Sequence, residues 1–196
     1  MRRDQIAEAG IRIIARRGVR ALTHRAIDEE RGLALGSTSY YARTRRALID
    51  EIVRVLAERS IADLEEAARA LVMPSGMSVP DARKELLDVL ESAVTAFARR
   101  PDELKARYAL LLELDEDEPA RATLAEKSPV QQAVVQRLAD ALEVCDIEAP
   151  AHHAREVMTL CDALLMRSVI VGAPVEIVPT VSAYLRGLAD TPRTGK

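Results

Sequence analysis

The 196-residue chain has no Trp, a single Phe (Phe97) and four Tyr. Its core must therefore be built from Leu, Ile, Val and Ala, which favours helices. It has only two cysteines, Cys145 and Cys161. That is too few for a disulfide framework, and they lack CxxC spacing, so they read as buried thiols in a reducing compartment. Long hydrophobic runs are missing too. The best stretch, Ala163 to Ala173, is broken by Arg167 and Ser168, which excludes a membrane span. No secretory leader is evident, and the expected location is cytoplasmic. There is no phosphate-binding Gly loop, no GxSxG and no HExxH. Catalysis has no visible carrier, so neither an enzyme nor a cofactor is expected.

What is present is 48% hydrophobic and 30% charged, enough apolar surface for a folded core. The net charge of −3 hides a division. Residues 1–46 hold eleven Arg, no Lys and five acids, a net of +6, so residues 47–196 carry −9. A basic lobe on an acidic body is the footprint of a protein that meets a polyanion with one end. A solvated basic face gives the same count, so the position of the charge along helices must decide.

Ile6, Ala9, Ile13 and Ile14 recur at helical spacing and predict a first helix over Arg2 to Arg17, closed by Gly18. Thr23 is a good N-cap for a second helix of about nine residues that ends at Gly32. Leu33 is placed to plug the angle before a third, from Leu35 to Ala42. This is a helix-turn-helix pattern. A long helix follows from Arg46 to Val72, then a loop over PSGMSVP (74–80). Further helices are predicted at Asp81 to Arg99, Asp102 to Leu114, Pro119 to Cys145, Pro150 to Val171 and Pro179 to Ala189. No strand pattern and no internal repeat occur. The expected fold class is all-α, with a three-helix N-terminal domain (1–46) and a helical ligand-binding and dimerisation domain (47–196).

The stretch Leu22 to Leu48, LTHRAIDEERGLALGSTSYYARTRRAL, resembles the DNA-binding segment of the tetracycline-repressor (TetR) family of bacterial regulators. It has the Thr that opens helix 2 and its central Ile, the Gly and apolar residue of the turn, Gly-Ser-Thr and a Tyr pair in helix 3, then a basic residue and Ala-Leu that open helix 4. Departures are Ala34 where a Ser or Thr cap is usual, with Ser37 a candidate cap one turn later. Ser39 stands at a frequent Tyr position, and Ala42 replaces a common Phe.

The resemblance implies a homodimer that binds a palindromic duplex operator and answers to a small-molecule effector. Groove-facing residues of a recognition helix read base edges. Here these are Leu35, Gly36, Ser37, Thr38, Ser39, Tyr40 and Tyr41, with the Thr38 methyl or the Tyr40 ring suited to a thymine methyl. Thr23, His24 and Arg25, at the start of helix 2, suit a phosphate. Arg43, Thr44, Arg45 and Arg46 lie where the family clamps the backbone, Arg45 matching its phosphate-binding basic position. Tyr41 fits interhelical packing equally well, and Arg12, Arg16 and Arg17 fit a solvated face.

From Val157 to Val171 apolar residues occupy nearly every side of a helix. A surface helix needs one stripe, so the second implies burial against another chain or inside a body. The last helix adds Val181, Tyr184, Leu185 and Leu188. The resemblance makes these a four-helix dimer interface and places an effector cavity in each body. Its candidate lining is Arg107, Tyr108, Leu111, Met158, Cys161, Asp162 and Leu165. Scarce aromatics favour an apolar or amphipathic effector over a stacked planar dye. His152 and His153 point about 100° apart on a helix and no third ligand stands out, so no metal site is expected. The acidic run Asp115 to Glu118 reads as a solvated turn. The competing reading, from another class, is an all-α interaction protein whose basic end docks an acidic partner.

Overall fold

A computed structural model describes residues 2–74, 76–125 and 129–189. Ten α-helices account for most of them, with no strand among the described residues. They are α1 (Arg2–Arg17), α2 (His24–Arg31), α3 (Ser37–Tyr41), α4 (Arg45–Ala70), α5 (Val79–Ala98), α6 (Pro101–Glu113), α7 (Pro119–Ala125), α8 (Pro129–Val144), α9 (Pro150–Val171) and α10 (Ile177–Ala189). The all-α expectation holds. No described helix is long and apolar enough to cross a membrane.

The chain divides into two compact units, residues 1–60 with 100–126 and residues 61–99 with 127–196. In the first, α1 packs against α2 and α6, and α2 against α3. The face expected for α1 is the buried one: Ile6, Ala9, Ile13 and Ile14 are all in the core, joined by Leu22, Ile27, Leu48, Ile49, Ile52 and Leu110. Gly10 lets α1 approach α4 closely. A Cβ there would lie 2.3 Å from Ile52 Cδ1 and 2.9 Å from its Cγ1.

In the second unit, α8 packs on α9, α5 on α8, α9 and α10, and α9 on α10. Its buried residues include Leu86, Leu90, Leu138, Leu142, Val157, Leu165, Val181 and Leu185, an aliphatic interior as the scarcity of aromatics requires. At about 25 cal/mol per Å² of apolar surface removed from water, such side chains dominate the stability of this unit.

The helix predicted from Pro119 to Cys145 is described as α7, to Ala125, and α8, from Pro129 to Val144, and the part of the prediction over residues 126–128 lies outside the described residues. The last helix starts at Ile177, so Pro179 lies within its first turn, where amide N–H groups lack intrahelical acceptors anyway.

Candidate nucleic-acid interface

The candidate helix-turn-helix segment begins at Thr23. Its extended backbone stops the preceding turn, and its hydroxyl accepts a 3.0 Å hydrogen bond from the Ala26 N–H, capping α2. Gly32 ends α2 in the left-handed conformation at φ 62°, donating back to the Asp28 and Glu29 carbonyls. Gly36, at φ 90°, then redirects the chain into α3, a turn that a side chain would strain.

The start of α3 is organised by a residue of α2. Asp28 is buried, and its carboxylate accepts from the Gly36 N–H at 2.7 Å, the Thr38 N–H at 2.9 Å and the Thr38 hydroxyl at 2.6 Å. It therefore does the work of an N-cap on behalf of Ala34, which has no side-chain acceptor, and neither Gly36 nor Ser37 supplies a side-chain cap. Burial pushes the Asp28 carboxyl upward, but the Thr38 hydroxyl and the Thr38 and Gly36 amides outweigh it and hold the group below the usual carboxylate range. The sequence reading passed over Asp28. The available signal was an acid next to Ile27 on the inward face of an amphipathic helix, a place where a carboxylate needs partners.

Two expectations fail here for the same reason. Thr38 is 0% exposed, so its methyl and hydroxyl face the protein and not a base. Leu33 is 41% exposed and does not plug the interhelical angle; the Asp28 bonds set it. The surface of the segment is made by others. Tyr40 is 83% and Leu35 73% exposed, and Gly36, Ser39, Arg43, Thr44 and Arg45 are also at the surface, with Ser37 half-buried. Tyr41 is half-buried against the core of the first unit and meets the Tyr40 ring edge-on, at 5.1 Å and 82°.

Partners distinguish the polar residues. His24 Nε2 lies 2.6 Å from the Ala42 carbonyl, where its N–H ties the start of α2 to the end of α3. Arg25 pairs with Glu29 at 2.7 Å on the surface. The Thr44 hydroxyl accepts from the Ala47 N–H and caps α4. Arg45 donates one Nη2–H to the Val19 carbonyl at 2.9 Å, and its fork keeps further N–H groups. Arg46 is spent on Asp50 and Glu118. Arg12, seen in the sequence as solvated, pairs with Glu30 at 2.8 Å.

The effector candidates fall in both units. On α6, Arg107 donates to the Leu124 carbonyl, with Ser60 Oγ at 3.5 Å, so its guanidinium ties α6 to α7 and α4. Tyr108 and Leu111 are half-buried. On α9, Met158, Cys161 and Leu165 share one face at helical spacing, the last two buried. Burial first, and the Asp162 charge second, push the Cys161 thiol up to about 12. Asp162 itself is exposed, so the expectation of a polar anchor inside an apolar body is corrected for this residue.

Residues 81–191 match the family described as "Tetracyclin repressor-like, C-terminal domain". The chain belongs to the tetracycline-repressor family. No curated protein sequence matches it significantly. Among solved structures it is similar to a TetR family member from Streptomyces coelicolor, SCO1917, at 23% identity and a TM-score of 0.64, covering 95% of this chain and 97% of that one. A TetR-family transcriptional regulator from Rhodococcus sp. gives 24%, 0.60, 96% and 97%. The multidrug binding protein EbrR, complexed with malachite green, gives 23%, 0.61, 94% and 97%. At such identities the structural likeness speaks for the TetR fold, an N-terminal helix-turn-helix followed by a helical C-terminal domain.

Proposed function

We propose that this TetR family protein is a homodimeric, effector-responsive repressor that binds a palindromic operator, with residues 1–46 as the reading domain and 47–196 as the ligand-binding and dimerisation domain. The observation that carries this is the α2–α3 pair. Asp28 fixes α3 from behind, Leu35 and Gly36 are exposed just before it, and Ser39 and Tyr40 face outward on this five-residue helix, slim enough for a major groove. Arg43, Arg45 and the first turn of α2 flank it for the phosphates, contacts that set register without reading sequence. Reading DNA puts the protein in the cytoplasm of a bacterium, and binding rather than catalysis is its activity.

Support for a dimer comes from α9, where Met166, Ile170 and Val171 are exposed although apolar. The effector would be apolar or amphipathic, with few polar anchors. It would act by favouring a body conformation that moves the reading heads out of register with successive major grooves, α4 being the helix that supplies residues to both units. Linkage then requires operator DNA and effector to weaken each other's binding by the same factor.

The deciding experiment is selection of bound sequences from a random duplex pool, followed by competition at physiological salt. A palindromic consensus that outcompetes random duplex supports the reading. Equal competition by any polyanion, acidic protein included, overturns it in favour of an acidic docking partner.

A further inference from the structure

Early in α9, three metal-ligating side chains meet that the sequence reading had kept apart. Successive helical residues differ by about 100° in direction, which argued against any convergence of His152 and His153. The two rings answer this by offering different nitrogens. His152 extends its far nitrogen, Nε2, to 3.3 Å from Glu156 Oε1. His153 offers its near nitrogen, Nδ1, 2.9 Å from Glu156 Oε2. One carboxylate, a turn further along, thus gathers both imidazoles, and the three donor atoms all lie within 4.8 Å of one another. A third possible ligand, not singled out in the sequence, therefore lies beside them: Glu156.

A second helix supports the group. The Tyr184 hydroxyl of α10 donates to Glu156 Oε2 and lies 2.6 Å from His153 Nδ1. Its ring meets that of His153 edge-on, at 5.8 Å and 65°. Hydrogen bonds of this kind orient ligating carboxylates in metal sites. His153 is mostly enclosed and Glu156 half-buried, so the cluster is partly preorganised, unlike a solvated ion pair.

We propose that His152, His153 and Glu156, oriented by Tyr184, form a binding site for a first-row divalent transition-metal ion. Bond lengths of about 2.0 to 2.2 Å to nitrogen and oxygen correspond to donor separations of about 3.3 Å in a tetrahedron. The 3.3 Å between His152 Nε2 and Glu156 Oε1 already matches, and side-chain rotation within the 4.8 Å cluster brings His153 Nδ1 to the same oxygen. Two imidazoles and one carboxylate select Zn²⁺ and its neighbours, whereas Mg²⁺ and Ca²⁺ require shells of oxygen. The ion takes the place of the proton shared around His153 Nδ1, and the second carboxylate oxygen keeps the Tyr184 bond. Three protein donors leave one coordination position for water. The two cysteines, both buried, offer no competing surface thiol. Nothing in this site depends on the DNA-binding reading.

The test is a titration of the untagged full-length chain with Zn²⁺ against a chromophoric chelator of micromolar affinity at neutral pH, with excess Mg²⁺ present. One equivalent per chain is expected. The substitutions His152→Ala, at an exposed position that folding does not need, and Glu156→Gln should each weaken binding about tenfold or more, and Tyr184→Phe by about 10- to 100-fold. Circular dichroism establishes that each variant is folded. Failure of the native chain to compete with the chelator, displacement of Zn²⁺ by Mg²⁺, or unchanged affinity in a folded His152→Ala/Glu156→Gln double variant overturns the site.

Discussion

The first unit and the second use polar groups differently. In residues 1–60 and 100–126, charged side chains link helix to helix: Arg12 to Glu30, Arg54 to Asp4, Arg59 to Glu8 and Glu103, and buried Asp28 to Gly36 and Thr38. In the second unit the helices meet mainly through Leu, Val and Ala, and its cross-helix polar bonds include Arg83 to the Cys145 carbonyl and Tyr184 to Glu156. Hydrogen bonds fix direction, whereas apolar packing tolerates rearrangement when volume is kept. A segment that must present five residues at one angle gains from the first kind of bonding. On the proposed reading, a body that accepts a ligand and changes shape gains from the second.

The comparison predicts where each unit breaks. Leu142 is 0% exposed in the aliphatic interior of the second unit, and Leu142→Ala should cost about 2 to 5 kcal/mol in chemical denaturation. A cost near the lower limit would show that this unit collapses around the cavity, as a deformable body should. Next in size comes Asp28→Ala, which leaves the buried Thr38 N–H and hydroxyl and the partly buried Gly36 N–H without an acceptor. It should cost about 2 to 3 kcal/mol. It should also weaken operator binding while leaving the salt slope unchanged, because Asp28 touches no DNA. The acid response follows from the same bonds. The folded-state pKa of Asp28 lies below its unfolded value, near 3.9, so its stabilisation is complete above that value and fades as pH falls through the folded pKa. Asp28→Asn should flatten the loss of stability below pH of about 4, and an unaltered acid limb would remove Asp28 from this role.

Most of the helices were legible in the sequence because their apolar periodicity is itself what buries them. Ile6, Ile13 and Ile14 face inward for the reason that makes them visible as a stripe, and the Thr23 and Gly32 caps act through local geometry. The reading segment was only partly legible. Whether Thr38 faces a groove or a carboxylate depends on Asp28, ten residues away, and a pairing between helices leaves no periodic trace. The same holds for Tyr184 and Glu156, 28 residues apart. That His152 and His153 meet at one carboxylate was not legible, because a rotation per residue describes where Cβ points, not how far a ring nitrogen reaches.

A third prediction tests the close approach in the first unit. Gly10→Ala adds a Cβ 2.3 Å from Ile52 Cδ1, and the resulting strain should outweigh the gain in helix propensity, a net loss of about 1 kcal/mol. Adding Ile52→Val removes Cδ1 and should recover part of it. If the double variant is no better than the sum of the singles, the two positions are not in contact.

The smallest expected effect separates the two flanking arginines. Among the described residues Arg43 is exposed without an ion-pair partner, whereas Arg45 holds the Val19 carbonyl. Both substitutions to Ala should lower the slope of log affinity against log salt by about one unit, as loss of one phosphate contact requires. Only Arg45→Ala should also destabilise the fold, by about 0.5 to 1 kcal/mol, since an arginine donor is lost from a backbone carbonyl. A slope unchanged in both would mean that the cations beside α3 serve the first unit's own bonding network, and the division between a reading surface and its scaffold would have to be redrawn around Tyr40 and Ser39.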